Sequence, residues 1–235
     1  MSLQSFVEQR LILERFAGKA VPLISKEEQC VAENWPIRQI LIISIRPARL
    51  HRCLERLGLL CQFATIVPAC HGERISRKEW GTTSSRLGRG QLGCFESHCR
   101  VWRYMVENEL QQALILEDDA CLYPTAVVCQ HLLWVWQDVK QLQWDIICLG
   151  RSVVKRLNAE RVTPRLVVSG DFYGLFGYVL TSAAALRLLQ EPLFEKPIDE
   201  VVSQLGTAGA LRILACEPEV FTVLHNSPSD TISIL

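Results

Sequence analysis

The sequence has no net charge and no apolar run long enough to cross a membrane. Its 235 residues hold 25 Lys and Arg against 25 Asp and Glu, so it lacks the excess of positive charge typical of proteins that coat nucleic acid. No apolar run approaches the roughly 18 residues that span a bilayer. Residues 1–21 also lack the apolar centre of a signal peptide. We therefore expect a cytoplasmic protein with no nucleic-acid partner.

Cysteine pairs of the C-x-x-C type are absent, although the chain contains ten cysteines. This absence argues against a zinc ribbon and against a thioredoxin-like redox site. Cys148 lies inside the apolar run DIICL, where a cysteine behaves as a small hydrophobic residue. Because no secretory signal is recognised, we expect reduced thiols and no disulfide scaffold.

Aspartate is missing from residues 1–117, and the first aspartate of the chain is Asp118. Residues 1–110 hold 16 basic and 11 acidic residues, a net charge of +5, whereas residues 111–235 hold 9 and 14, a net charge of −5. Drift in composition is one interpretation of this split. The other is that the acidic half holds a cation and the basic half faces an anion.

Apolar runs of strand length alternate with amphipathic segments along the chain. The first run, Gln39–Ile45, is followed after Pro47 by apolar residues at helical spacing. Further strands are predicted at 63–67, 113–116, 145–149, 173–180, 211–215 and 220–224, and further helices at 92–106, 124–142, 182–189 and from Pro197 onward. Continuous apolar strands are typical of buried parallel sheets. The sequence thus predicts an α/β fold with a mostly parallel central sheet flanked by helices.

Other segments lack such periodicity. Residues 1–37 are predicted to be a partly helical N-terminal extension, and residues 38–235 a single catalytic domain. Residues 72–90 are predicted to be a polar loop, whose segment 74–89 is basic, and residues 151–165 are predicted to be irregular. The basic loop is either a solvated loop or a surface that binds anions.

The run Gly88-Arg-Gly-Gln-Leu-Gly93 matches the G-x-G-x-x-G pattern of dinucleotide-binding folds. It opens a predicted helix, and the next predicted strand ends at Glu117, near the position where such folds place an acidic residue for the ribose. The pattern needs a strand directly before its first glycine, but residues 79–87 are polar and broken by glycine. An NAD(P)-dependent enzyme is therefore the weaker alternative.

Three consecutive acids, Glu117, Asp118 and Asp119, directly follow the apolar run Ala113–Leu116. Such a cluster is costly without a countercharge, and ligands of open parallel sheets bind beyond the carboxyl ends of the strands. In an extended run Glu117 and Asp119 point the same way, and Mg²⁺ and Mn²⁺ prefer oxygen ligands. The motif predicts a metal site, with a solvated turn or a helix N-terminus as the alternative.

Five segments, in this order, resemble glycosyltransferase family 25, the lipopolysaccharide-biosynthesis glycosyltransferases that are also similar to the collagen galactosyltransferases. The segments are Gly90-Gln-Leu-Gly-Cys-Phe-Glu-Ser-His98 with Trp102, Ala113-Leu-Ile-Leu-Glu-Asp-Asp119, Trp144-Asp-Ile-Ile-Cys-Leu-Gly150, Gly177-Tyr-Val-Leu180 and Pro197-Ile-Asp199. The resemblance extends from residue 39 to about residue 232. It implies a GT-A-like nucleotide-binding fold, and it makes the Gly88–Gly93 run the turn into the G-C-x-x-S-H helix.

The resemblance implies an inverting enzyme that moves a hexose, galactose or glucose, from a UDP-sugar to a saccharide acceptor with the help of Mn²⁺ or Mg²⁺. Glu117 and Asp119 match the acidic motif that would bind the metal. His225 is a third candidate ligand, because many GT-A enzymes have a late histidine near the metal. A loop histidine without this role is the alternative.

Further residues are candidates for binding the donor and for catalysis. Candidates for binding the nucleotide-sugar are Arg46, Arg49, His98, Glu117 and Asp118, of which the two arginines have the positive charge that suits a diphosphate. Asp199 matches an acidic position of the family and is the candidate base for the acceptor hydroxyl, with Glu200 and Asp230 as rivals. A satisfied core histidine and a helix N-terminal acid are the structural alternatives for His98 and Asp199.

Two departures from the family pattern concern the donor side. The family's first strand runs into Asn-Leu and then Arg-x-Asp-Arg, whereas here Ala48 replaces the aspartate, and His71 replaces the aspartate of a later Asp-Gly. A catalytically impaired homologue that binds nucleotide-sugars is therefore a second alternative. For an active enzyme, the expected acceptor is a glycolipid or lipopolysaccharide core, reached by peripheral contact of loop 74–89 with the inner face of a membrane.

Overall fold

The structure, a computed structural model, describes residues 33–76, 87–122, 126–154, 160–170, 172–191 and 196–223. Most of the N-terminal extension, most of the basic loop 74–89, and the candidates His225 and Asp230 lie outside these residues. The division into an extension and a single domain therefore stays a prediction. Within the described residues, none of the helices combines the length and the apolar character needed to cross a membrane.

The described helices and strands alternate along the chain. The α-helices are α1 Pro47–Leu57, α2 Arg89–Glu107, α3 Ala126–Val139, α4 Ser182–Leu188 and α5 Ile198–Thr207, with short 3₁₀ helices at Gly58–Phe63 and Gly72–Arg74. The strands are β1 Ile40–Ser44, β2 Ala64–Pro68, β3 Gln112–Glu117, β4 Ala120–Leu122, β5 Ile146–Gly150, β6 Val153–Val154, β7 Arg161–Thr163, β8 Leu166–Val168, β9 Phe172–Tyr173, β10 Gly177–Thr181, β11 Ile213–Cys216 and β12 Phe221–Val223.

Eight of these strands form one central sheet in the order β2-β1-β3-β10-β5-β11-β8-β7. The β1–β2, β1–β3 and β5–β11 pairs are parallel, whereas the other pairs are antiparallel. Only β10 and β8 therefore run against the other strands of this sheet. The predicted fold class, α/β with a mostly parallel central sheet flanked by helices, is confirmed.

Side chains from alternate positions of β1 enter two separate hydrophobic layers. Leu41 and Ile43 pack on the side of α2, α4 and α5, whereas Ile40 and Ile42 pack on the side of α1 and α3. Because both faces are covered, every residue of β1 is buried, which is why its sequence is continuously apolar. Each such side chain contributes about 1.5–3 kcal/mol on burial.

Six of the eight described cysteines are buried, including Cys148, for which the sequence predicts a core position. Cys148 is buried in β5, and burial raises the pKa of its thiol to about 12. Burial likewise raises the pKa of Cys53, Cys99 and Cys216 to about 12. Among the described cysteines, none is in a disulfide. The protonated, buried thiols behave as small hydrophobic groups.

Two sequence predictions about β-structure were incomplete. The predicted strand 173–180 is two strands, because Gly174 adopts φ 78° between β9 and β10, a left-handed conformation that favours glycine. The segment 151–165, predicted to be irregular, contains β6 and β7. Strand β7 pairs with β8 at the edge of the sheet, a tertiary pairing that local hydrophobicity does not indicate.

Candidate active site at the carboxyl ends of the strands

The carboxyl ends of β1, β2 and β3 meet at one edge of the sheet and border a cavity of about 360 Å³. Helix α1 begins directly after β1, and α2 begins against the turn that follows β2. Both helices therefore point their amino-terminal ends, which carry partial positive charge, towards this edge. Such a crevice is the usual ligand site of an open α/β sheet.

Most of the predicted site residues line this cavity. They are Arg46, Arg49, His98, Glu117, Asp118 and Asp119. The side chains brought in beside them by the fold include Ser44, Cys70, His71, Cys94 and Ser97. Asp199 lies outside the lining, and His225 lies outside the described residues. The structure thus brings together the proposed donor-binding residues and two of the three proposed metal ligands.

Arg49 forms ion pairs with two of the three consecutive acids. Its Nε lies 2.8 Å from Asp118 Oδ1, and a terminal guanidinium nitrogen lies 2.5 Å from Asp119 Oδ2. Ser44, the last residue of β1, donates a hydrogen bond from its hydroxyl to Asp118 Oδ2 at 2.7 Å. Asp118 is therefore held by the end of β1 and the first turn of α1.

The acidic residues are under electrostatic strain. Burial raises the pKa of Asp118, and the hydrogen bond from Ser44 and the charge of Arg49 oppose that shift. Burial and the neighbouring charge of Glu117 raise the pKa of Asp119 to about 6, against the opposing effect of Arg49. Asp119 Oδ1 is also buried and accepts no hydrogen bond from the described residues. One guanidinium thus compensates this cluster only in part.

A buried hydrogen-bond chain ends on Glu117. Trp102 Nε1 donates to the Tyr178 hydroxyl at 3.0 Å, that hydroxyl lies 2.8 Å from His98 Nδ1, and His98 Nε2 lies 3.2 Å from Glu117 Oε1. An indole N–H can only donate. The Tyr178 hydroxyl therefore accepts a hydrogen bond from Trp102 and donates its own O–H to His98 Nδ1. In that arrangement every proton has an acceptor, and His98 Nε2–H donates to Glu117. We call these residues the Trp102–Glu117 chain.

The Trp102–Glu117 chain is buried, and its tyrosine hydroxyl keeps its proton. Trp102, Tyr178 and His98 are each at most 1% exposed, and burial raises the pKa of the Tyr178 hydroxyl well above its ordinary value, so it remains a proton donor. His98 is therefore both a satisfied core histidine and a neighbour of the site. It reaches the cavity through Nε2, and it orients one carboxylate oxygen of Glu117.

Two sets of metal-ligating atoms share Glu117. The first is the predicted oxygen pair, Glu117 and Asp119. These two residues are close enough for the charge of Glu117 to raise the pKa of Asp119. The second consists of Cys94 Sγ, His98 Nε2 and a Glu117 oxygen, all within 4.8 Å of one another. Cys94 is not among the site residues predicted from the sequence, although its i,i+4 spacing to His98 on α2 is a signal for a shared site.

The oxygen pair fits a divalent cation better than the sulfur-containing set does. The buried oxygen of Asp119 lacks a hydrogen-bond donor, and the repulsion between Asp119 and Glu117 is relieved by a positive ion. Burial and the charges of Glu117 and Asp199 raise the pKa of the Cys94 thiol well above its ordinary value. A protonated thiol is a poor metal ligand.

Asp199 lies in the first turn of α5, beside the cavity. Its Oδ2 accepts the Gly174 N–H at 2.9 Å, and its Oδ1 accepts the Glu200 N–H at 3.0 Å. Its charge contributes to the raised pKa of Cys94, so the two side chains are close enough to interact. Asp199 thus has the helix N-terminal position of the structural alternative, and its charge acts on Cys94, which lines the cavity.

Gly93, the last glycine of the G-x-G-x-x-G run, allows two backbone segments to touch. A Cβ on Gly93 would lie 2.5 Å from the Cys70 carbonyl oxygen and 2.8 Å from the Gly72 nitrogen. The Cys70 N–H also donates to Ser97 Oγ at 2.8 Å. Gly93 therefore lets α2 pack against the turn after β2, and this contact gives the last glycine of the run a role without a dinucleotide.

The comparisons with known proteins show the family of this chain. The family described as Glycosyltransferase family 25 (LPS biosynthesis protein) matches residues 38–202. Procollagen galactosyltransferase 1 of Danio rerio is 37% identical over 121 residues, which are 48% of this chain and 20% of that protein. A Glycosyltransferase 25 family member of Drosophila melanogaster is 34% identical over 225 residues, which are 84% of this chain and 36% of that protein.

A third relative has a name that denies activity. The Inactive glycosyltransferase 25 family member 3 of Mus musculus is 31% identical over 186 residues, which are 69% of this chain and 31% of that protein. The chain thus spans a fifth to about a third of the length of these relatives. The matched region contains β1, the acidic cluster and the Trp102–Glu117 chain. This chain belongs to glycosyltransferase family 25.

Proposed function

We propose that this protein is a glycosyltransferase that moves a hexose, galactose or glucose, from a UDP-sugar to a saccharide acceptor with inversion. The observation that carries the proposal is the cavity in which Arg46 and Arg49 face Glu117 and Asp119 at the carboxyl ends of parallel strands. A nucleoside diphosphate and a divalent cation together match this pairing of basic and acidic groups.

The basic groups of the cavity suit the diphosphate. Arg46 and Arg49 lie at the start of α1, where the amino-terminal end of the helix adds partial positive charge. Glu117 and Asp119 would hold Mn²⁺ or Mg²⁺, which neutralises charge on the departing diphosphate when it is bound. His98 orients Glu117, and Asp118 keeps Arg49 at the site.

Asp199 is our candidate for the base that accepts the proton of the acceptor hydroxyl. An ionised carboxylate has about four acceptor positions, and Asp199 uses one on Gly174 and one on Glu200. The remaining positions are available to a hydroxyl proton. The two backbone hydrogen bonds would hold the carboxylate in one orientation as the proton is transferred.

The location of the protein in the cell and the class of its acceptor are separate proposals. We propose a cytoplasmic protein whose acceptor is a glycolipid or a lipopolysaccharide core, approached peripherally from the inner face of a membrane. The support is the family name, which includes lipopolysaccharide biosynthesis. Incorporation of the hexose into liposomes that carry such an acceptor, compared with transfer to free saccharides, tests this part.

The ion pair of Arg49 with Asp119 favours a second candidate function. A guanidinium on Asp119 takes the place that a cation would otherwise have, which is how a nucleotide-sugar-binding homologue without catalytic activity would be stabilised. The two functions differ in one measurement. An active enzyme releases UDP in the presence of an acceptor, whereas the binding protein is stabilised by UDP-sugar and releases none.

The experiment is UDP release from UDP-galactose and UDP-glucose with Mn²⁺ and a set of saccharide acceptors. We expect Glu117→Gln and Asp119→Asn to lower turnover at least about 100-fold, the scale of losing charge stabilisation in a transition state. Glu107→Gln is the matched control, because Glu107 is exposed at the far end of α2. Unchanged turnover in both site variants would refute the assignment of the metal.

A further inference from the structure

A second cavity lies beside Asp199, on the side of α5. It has a volume of about 320 Å³, and its lining includes Phe172, Tyr173, Glu200, Ser203, Gln204 and Thr207. Buried Phe172 forms apolar lining, while Tyr173 is 36% exposed. An aromatic face with a few fixed polar groups around it is the usual composition of a small-molecule site.

The polar groups of this cavity suit neutral hydroxyl groups. Glu200 and Gln204 lie one turn apart on α5, and Gln204 Nε2 donates to Glu200 Oε1 at 3.0 Å. Lys196 donates to Gln204 Oε1 at 3.0 Å, so the amide is oriented from both ends. A carboxylate and an oriented amide offer acceptors and donors together, the combination that a sugar hydroxyl needs.

The charge of the lining separates this cavity from the one that faces the strand ends. The first cavity contains Arg46, Arg49 and Arg89. Within the part of the chain that the structure describes, the lining of the second cavity contains one carboxylate and no arginine or lysine. Lys196, outside this lining, donates to Gln204 and lies 4.0 Å from Glu200 Oε1. A diphosphate therefore matches the first cavity, and an uncharged ligand matches the second.

Asp199 connects the two cavities. Its neighbour Glu200 lines the second cavity, and its carboxylate accepts the N–H of Gly174, the residue after Tyr173. On the other side, its charge acts on Cys94, which lines the first cavity. A base for sugar transfer must reach the acceptor hydroxyl, so the acceptor has to lie next to Asp199.

We infer that the second cavity, between Tyr173 and the Glu200–Gln204 face of α5, binds the saccharide acceptor. This inference rests on the proposed function, in which Asp199 is the base. The sugar ring packs on Tyr173, its hydroxyl groups pair with Glu200 and Gln204, and one hydroxyl reaches Asp199. The amphipathic tyrosine ring provides apolar area with little loss of conformational entropy.

The test is binding of a panel of neutral hexoses, heptoses and their disaccharides by saturation-transfer NMR, beside binding of UDP by calorimetry. We expect Tyr173→Ala and Gln204→Ala to weaken saccharide binding about tenfold, the effect of one lost aromatic or hydrogen-bonding contact. Tyr173→Phe keeps the ring and should keep most of the affinity. Trp134→Ala is the control, since Trp134 is an exposed aromatic residue of the opposite helix layer.

The outcomes separate this inference from the proposed function. Saccharide binding that is insensitive to both Tyr173→Ala and Gln204→Ala, or no saccharide binding at all, overturns the inference, and UDP binding then still supports a donor site. Saccharide binding lost in both variants supports the inference. If UDP fails to bind while the saccharide signal depends on Tyr173, the proposed transfer fails and the saccharide site remains.

Discussion

His98 Nε2, on helix α2, lies 3.2 Å from Glu117 Oε1, at the carboxyl end of strand β3. The other ring nitrogen of His98 contacts the Tyr178 hydroxyl at 2.8 Å. The imidazole therefore connects a core tyrosine to a carboxylate of the candidate active site, so that the position of the tyrosine influences the orientation of the carboxylate. Second-layer hydrogen bonds of this kind orient the ligands of a site and tune their basicity.

Tyr178→Phe tests this relationship. Removal of the hydroxyl leaves the buried Trp102 Nε1–H without an acceptor and His98 Nδ1 without a donor. We expect the free energy of unfolding to fall by about 1–3 kcal/mol and turnover to fall because Glu117 loses its fixed orientation. Thermal denaturation and UDP release measure the two effects. Tyr104→Phe is the control, because Tyr104 is half-buried and lies on the helix that carries His98 and Trp102. Equal behaviour of the two variants would contradict the chain.

Asp119→Asn tests the electrostatic strain at the acidic cluster. The pKa of Asp119 is raised from 3.8 to about 6, so its carboxyl binds a proton more tightly in the folded protein than in the unfolded one. Its ionisation therefore destabilises the metal-free protein, with no effect below pH 3.8 and the full effect above about pH 6. Two pKa units correspond to about 3 kcal/mol.

This prediction is checked by thermal melting of the unsubstituted protein and of the Asp119→Asn variant. Both are melted with a chelator present, at a series of pH values across that range. The Asp119→Asn variant should gain stability over the unsubstituted protein as the pH rises from 4 to about 6, and the gain should then level off. A gain that is independent of pH, or a loss that grows with pH, would show that the Arg49 ion pair outweighs burial and the Glu117 charge.

Thermal stabilisation by Mn²⁺ separates the two ligand sets that share Glu117. We expect about 2.7 kcal/mol of stabilisation at 100 times the dissociation constant, lost in Glu117→Gln and in Asp119→Asn. Cys94→Ser should keep this stabilisation, because the thiol is protonated and Mn²⁺ prefers oxygen. If Cys94→Ser abolishes it and Asp119→Asn does not, the ion binds to Cys94, His98 and Glu117 instead.

Gly93→Ala tests the role of the G-x-G-x-x-G run. The new methyl group would collide with the Cys70 carbonyl oxygen and the Gly72 nitrogen, and neither backbone atom can move without displacing the turn after β2. We expect a loss of about 1–3 kcal/mol in the absence of any nucleotide. Unchanged stability, together with a fluorescence change of NADH on binding, would instead favour the dinucleotide alternative.

Much of the fold could be predicted from local pattern. The apolar runs at β1, β3 and β5 are strands because both faces of the sheet are covered, and the acids after β3 are at a carboxyl end for the same reason. The prediction that Glu117, Asp118 and Asp119 need a positive partner was also sound. The identity of this positive partner was not predicted, since Arg49 belongs to a helix and precedes Glu117 by 68 residues in the chain.

Other features depended on contacts between distant segments. Strand β10 lies antiparallel between β3 and β5, and it places Tyr178 against His98, 80 residues away in sequence. The β7–β8 hairpin and the position of Asp199 beside Gly174 likewise follow from the packing of remote segments. Hydrophobic periodicity reports only which face of an element is buried, so it cannot identify the partner on that face.

The sequence by itself determined the α/β class, the family motifs and the location of the acidic cluster at the end of a buried strand. It also showed that aspartate begins only at Asp118, the residue that Arg49 binds. The tertiary structure decided which acid points where: Asp118 towards Ser44 and Arg49, Glu117 towards His98, and Asp199 towards the Gly174 N–H. The physical reason is that strand order and register set these distances, and both are properties of the whole packed sheet.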